Sequence, residues 1–146
     1  MSNKQKPNWF IHLVTNGPCL CGCGNIETSF LPNLCNAHTH GMEKYNHPDF
    51  QVVLRYEASH IGYILNTFGE MVRSGREFHA GEMVHDIYED CPVRLDEYEE
   101  TGRTVLRIII PDMNGRFPED DNCDEMYKLQ LLPTDALYKN TEDQPS

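Results

Sequence analysis

From Glu57 to Ser74 the apolar positions return every third or fourth residue: Ala58, Ile61, Leu65, Phe68 and Val72, with Ile64 and Met71 widening the stripe. That spacing predicts an α-helix with one face turned to a core. Gly75 stands where a left-handed C-terminal cap belongs. Gly62 and Gly69 fall inside the helix. Each costs roughly 1 kcal/mol there relative to alanine, and each leaves room for close packing on a sheet.

Elsewhere the period is two. In "FQVVLRY" (50–56), Phe50, Val52, Leu54 and Tyr56 share one face. In "RTVLRIII" (103–110), Thr104, Leu106, Ile108 and Ile110 face one way, and Arg103, Val105, Arg107 and Ile109 the other. "WFIHLV" (9–14), "VRLDEYE" (93–99) and an extended arm over 33–40 read as further strands. Turn residues separate them: "TNGP" after the first strand, "NHPD" at 46–49, and Thr101-Gly102 between the last two. The stretch 76–92 reads as a turn at Ala80-Gly81 followed by a short strand or helical turn. These elements predict an α+β fold, a mostly antiparallel sheet with one main packed helix, in a single domain over 1–132. The polar end, 133–146, is expected to be a flexible tail.

A chain of 146 residues can bury one sizeable core. Its formal net charge of −11 argues against nucleic acid and anionic membranes as partners. No stretch reaches the ~18 apolar residues of a membrane span. The N-terminal "MSNKQKPNWFIHLVTNG" lacks the apolar run and cleavage site of a signal peptide. A cytoplasmic location and reduced thiols are therefore expected, and the six cysteines read as thiols or metal ligands rather than a disulfide framework.

"NAHTHGMEKYNHPDFQVVL", the helix "ASHIGYILNTFGEMVRSGREFHAGE" and the later "IIIPDMNGRFPED" resemble the domain of unknown function 4262 family over roughly residues 33–120. Many members carry an Ala-Tyr-Thr-Val-Gly-Leu-type strand before the His-Pro turn. This chain has Ala37-His38-Thr39-His40-Gly41-Met42 there, a His-Thr-His-Gly variant. The resemblance implies the fold and supplies no catalytic residues.

His38 and His40 lie two apart on a strand, so their imidazoles point to the same side. Such a pair can chelate a transition metal, zinc first among the candidates, or simply hydrogen-bond in a polar cleft. A catalytic zinc takes three protein ligands and keeps one position open. His12, Cys35, His47, His79, His85, Asp112 and Cys123 are all candidates for the third. Cys19, Cys21 and Cys23 alternate in a glycine loop. They fit one tetrahedral ion less well than Cys-x₂₋₄-Cys pairs, yet a flexible loop could gather them, with Cys35 as a fourth thiolate. Fourteen positions separate Gly24 from His38, which places this loop at the rim of the histidine site.

Cysteine nucleophiles are disfavoured, because carboxylates around Cys123 suppress its thiolate and Cys91 packs beside Pro92. Asp120, Asn122 and Asp124 alternate like the start of an EF-hand loop, but Glu125 and Leu131 stand where that loop needs Gly and Glu. This run and "DEYEE" (96–100) read as solvated acidic segments. Arg107, Asp112 and Arg116 form the other candidate site, since arginine forks suit carboxylate or phosphate. Two functions follow. One is a metal-binding protein with a His-x-His pair, open to hydrolytic use. The other is a non-enzymatic module that binds a small anionic ligand, a nucleotide or a protein partner.

Overall fold

The computed structural model of the chain describes residues 9–14, 17–18, 27–28, 31 and 33–137. Among the described residues there are eight strands: β1 (Phe10–Val14), β2 (Gly17–Pro18), β3 (Glu27–Thr28), β4 (Leu34–His40), β5 (Asp49–Leu54), β6 (Met83–Val84), β7 (Val93–Glu100) and β8 (Arg103–Ile109). The main helix α1 spans Ala58–Arg73, and a one-turn helix α2 spans Glu125–Lys128. β2 and β3 pair with each other, and the other six strands form one sheet in the order β1-β4-β5-β8-β7-β6. The expected α+β class is borne out. Pairing is antiparallel except at the centre, where β5 and β8 run parallel. No helix is long and apolar enough to cross a membrane among the described residues.

The two faces of the sheet differ. Phe50, Val52 and Leu54 meet α1, whose Ile61, Ile64, Leu65, Phe68 and Val72 are buried. The Phe50 and Phe68 rings lie 4.8 Å apart, and both contact Phe78. The helix bounds match the apolar period within a residue at each end, although Ala58, expected on the inner face, is exposed. Gly69 has a steric reason: a Cβ there would stand 2.6 Å from the Trp9 ring, whose Nε1 donates to Asn66 Oδ1 at 2.9 Å. Gly62 has none, since nothing lies within 4 Å of a Cβ built on it.

The opposite face is polar. It carries His12 on β1, Asn36, His38 and His40 on β4, Asp49 and Gln51 on β5, and Arg103 and Arg107 on β8. Tyr98 and Glu100 of β7 complete it. Segment 129–137 covers part of this face. Arg107 donates to the Gln130 and Leu132 carbonyls, Tyr98 Oη to Leu131 O, and Thr134 Oγ1 to Glu99 O. The boundary of the expected tail is thereby corrected. Residues 134–137 form a 3-10 turn with Thr134 and Leu137 buried, because the polar face needs a cover. Residues 138–146 lie outside those described.

The β7–β8 turn has both central residues at positive φ, Thr101 at 47° and Gly102 at 81°. This is the twist a two-residue hairpin demands. Glycine adopts it freely and threonine does not. The Thr101 hydroxyl offsets its strain by donating to the Glu100 carboxylate at 3.1 Å.

Candidate metal centre

β1 and β4 pair so that His12 stands opposite His38, with Phe10 opposite His40. Strand alternation puts all three imidazoles on the polar face near the β1 edge of the sheet. One ring nitrogen from each of His12, His38 and His40 comes together, all within 4.8 Å of one another. The ring centroids lie 5.1 Å apart for His12–His38, 4.8 Å for His38–His40 and 6.1 Å for His12–His40. His38 is buried, His40 half-buried and His12 exposed, so the group opens to solvent on one side. Phe10 stacks on His40 at 5.0 Å.

Three nitrogen donors so placed could hold one metal ion, provided they are unprotonated. Burial drives the His38 pKa down to about 4 against the pull of Glu100, and His40, Arg103 and His12 push the same way as burial. His40 is also lowered, by burial and then by Arg103. Both are therefore neutral imidazoles at neutral pH.

Glu100 stands beside the group. It is buried, and its Oε2 stands 3.8 Å from His38 Nε2, beyond hydrogen-bonding distance. Burial favours the protonated acid. The charge of His38 once that ring is protonated, and the hydrogen bonds from Arg103 and Thr101, outweigh it and hold the carboxyl below its ordinary range. Arg103 also pairs with Asp49 and donates to Thr39 O at 3.0 Å. Reading "DEYEE" as wholly solvated is thus wrong for its last residue. The hairpin register sets Glu100 opposite Arg103 and on the histidine face. That register was open to inference from the two-residue turn and the strand period.

The remaining candidates fall elsewhere. Cys35 is not brought to the histidines. It has the opposite strand parity, lies in the core, and its Sγ approaches the Val52 and Leu54 carbonyls at 3.9 and 3.6 Å. Burial lifts its pKa to about 12, so it offers no thiolate at neutral pH. His47 accepts the Phe78 N–H at 3.0 Å and bonds Pro48 O with its other nitrogen. Cys123 is buried beside the Arg116 carbonyl, its pKa raised by burial first and Asp112 second. His79 and His85 are exposed and outside the group. Cys19, Cys21 and Cys23 lie outside the described residues, and the placement of their loop as a rim with them.

The arginine site needs correction. Arg107 is fully buried and already donates to Gln51 Oε1, Gln130 O, Leu132 O and Thr134 Oγ1, with its guanidinium 3.6 Å above the Tyr98 ring. A charge in the interior must be matched by such partners, and none of this is available to an incoming anion. Asp112 organises its own loop instead. Its carboxylate accepts the backbone N–H groups of Asn114, Arg116 and Asp124, which keeps its pKa low. Arg116 turns to the Asn122 carbonyl at 3.3 Å. A cavity of about 600 Å³ beside Asp112 is lined by Tyr56, His60, Tyr88, Asp90 and Tyr127 among others, and by no lysine or arginine. Its charge does not suit an anionic ligand.

Comparison of the chain with protein-family models, with curated proteins and with solved structures finds no match.

Proposed function

We propose that this protein binds one transition-metal ion through His12, His38 and His40, that the ion is zinc, and that the centre supports hydrolytic chemistry. The observation that carries this reading is the convergence of three imidazole nitrogens within 4.8 Å, two of them on buried or half-buried side chains held neutral. Neutral imidazole is a ligand of choice for zinc, and three such ligands leave a fourth position for water. Zinc lowers the pKa of bound water to about 7, which would supply a nucleophile at neutral pH. Glu100 stands beside His38 and adds negative charge that favours a cation.

Elemental analysis of gently purified protein, before any chelator or metal-affinity column, tests the reading. One zinc per chain is expected, lost in the His38→Asn/His40→Asn double variant. Protein that carries no metal, and melts identically with and without added zinc, would refute it. Hydrolysis is tested separately, with activated ester and phosphoester substrates on the zinc-loaded protein.

We also propose that the chain shares its fold with the domain of unknown function 4262 family. The Pro111–Pro118 loop that carries part of the resemblance is a defined structure organised by Asp112. A solved member with a different strand order would remove this proposal.

A further inference from the structure

Arg107 lies on the same sheet face as the histidines but is not part of their cluster. Its partners nevertheless lead there. Its Nε donates to Gln51 Oε1 at 2.8 Å. Gln51 Nε2 donates to Asn36 Oδ1 at 3.0 Å. The same Asn36 oxygen lies 3.0 Å from His38 Nδ1. Asn36 Nδ2 points the other way, to Glu100 Oε2 at 3.5 Å.

We infer that Arg107 is a positioning residue for His38: acting through Gln51 and Asn36, it fixes which imidazole nitrogen carries the proton. A guanidinium has donors and no acceptor. Gln51 must therefore turn its oxygen to Arg107 and its NH₂ to Asn36. Asn36 must then turn its oxygen to Gln51 and to His38. A ring nitrogen facing a carbonyl oxygen has to be the N–H, so neutral His38 is protonated at Nδ1 and bare at Nε2. A free histidine side chain prefers the other tautomer, so the environment reverses the intrinsic choice. The bare Nε2 faces the Glu100 carboxylate, lone pair to lone pair, at 3.8 Å. That arrangement is unfavourable unless a cation joins them. Arg107 is itself held in place, because the Gln130, Leu132 and Thr134 oxygens take three of its four remaining donors. The direction of the whole chain is thereby set from the covered interior toward the open histidine group.

The consequence for metal capture rests on the function proposed above, but the tautomer does not. The two are separated by reading the tautomer in metal-free protein. Long-range proton–nitrogen spectra of the imidazoles at neutral pH distinguish a protonated from a bare ring nitrogen. His38 is expected as a single Nδ1–H species. In Gln51→Glu the carboxylate still accepts from Arg107 but no longer donates, so Asn36 turns its NH₂ inward and His38 switches to the Nε2–H form. Zinc binding, followed by titration calorimetry with Zn²⁺, should weaken about tenfold or more, the scale seen when a metal ligand loses its supporting hydrogen bond. Arg107→Met should give a mixture of tautomers. If that variant does not fold, which a thermal melt shows, the isosteric Gln51→Glu carries the test. An Nε2–H His38 in the wild type, or an unchanged tautomer in folded Gln51→Glu, overturns the inference. Should the tautomer behave as stated while the wild type ignores zinc, the relay stands and the metal reading fails.

Discussion

Glu100 Oε2 and His38 Nε2 stand 3.8 Å apart with both side chains buried, joining the last residue of β7 to β4 across the two strands between them. The pair makes stability depend on pH. Unfolded, His38 takes up a proton near 6.5; folded, it does so only near about 4. Between those values the unfolded chain binds more protons, so stability is full above the window and is lost as the pH falls through it. Glu100, its folded pKa lowered, adds a loss of the same sign below its ordinary value of 4.5. Metal-free protein should therefore melt at progressively lower temperature as the pH drops from about 6.5 to 4, and His38→Asn should flatten that slope. A slope unchanged by the substitution would mean that another group is responsible.

Leu65 sits fully buried on the inner face of α1. Leu65→Ala should cost roughly 2–5 kcal/mol in a chemical denaturation experiment. A loss below ~0.5 kcal/mol belongs to surface positions and would contradict the packing described.

The two helix glycines should respond in opposite directions. Gly62→Ala meets open space and should stabilise by up to about 1 kcal/mol through helix propensity. Gly69→Ala drives a methyl group into Trp9 and should destabilise by about 1–3 kcal/mol, the usual cost of overpacking. Thermal melts of the two single variants give the comparison directly, and the Trp9 fluorescence should shift only in the second.

Cys35, Cys91 and Cys123 are free, and all three have raised pKa values, chiefly from burial. Alkylation mapped by mass spectrometry should leave Cys35 unmodified in the native protein and modify it fully in denaturant. Rapid native labelling of Cys35 would show that its strand opens far more readily than the packing implies.

The helix and the strands were legible because each has one apolar face and a clean period, as Phe68 and Phe50 illustrate. The parallel β5–β8 pair was not, since alternation along one strand says nothing of its neighbour's direction. For the site, His38 and His40 follow from their spacing alone. His12 was one of several equal candidates, and only the register of β1 on β4 selects it. Gln51 carries a signal of its own: a polar residue between Phe50 and Val52 in a fully buried strand needs a partner. Arg107 is a charge in an apolar strand, and its partners are internal rather than an incoming anion. Apart from Gln51, its hydrogen-bond partners come from residues 130–134, at the edge of what reads as a polar tail until it is folded over the sheet.

The parallel pairing of β5 with β8 has a kinetic side. Gln51 and Arg107 are 56 residues apart along the chain, whereas β1 meets β4 and β7 meets β8 across shorter spans. Distant pairings form more slowly, because the entropy of closing the loop is spent before any contact is gained. On refolding, the three imidazoles can gather in one fragment and the hairpin with Glu100 in another. Only the joining of β5 to β8 brings the carboxylate beside His38 and sets Arg107 against Gln51. Maturation of the centre is thus tied to the longest-range strand pairing among the described residues, and a chain halted before it holds histidines with neither their counter-charge nor a defined tautomer.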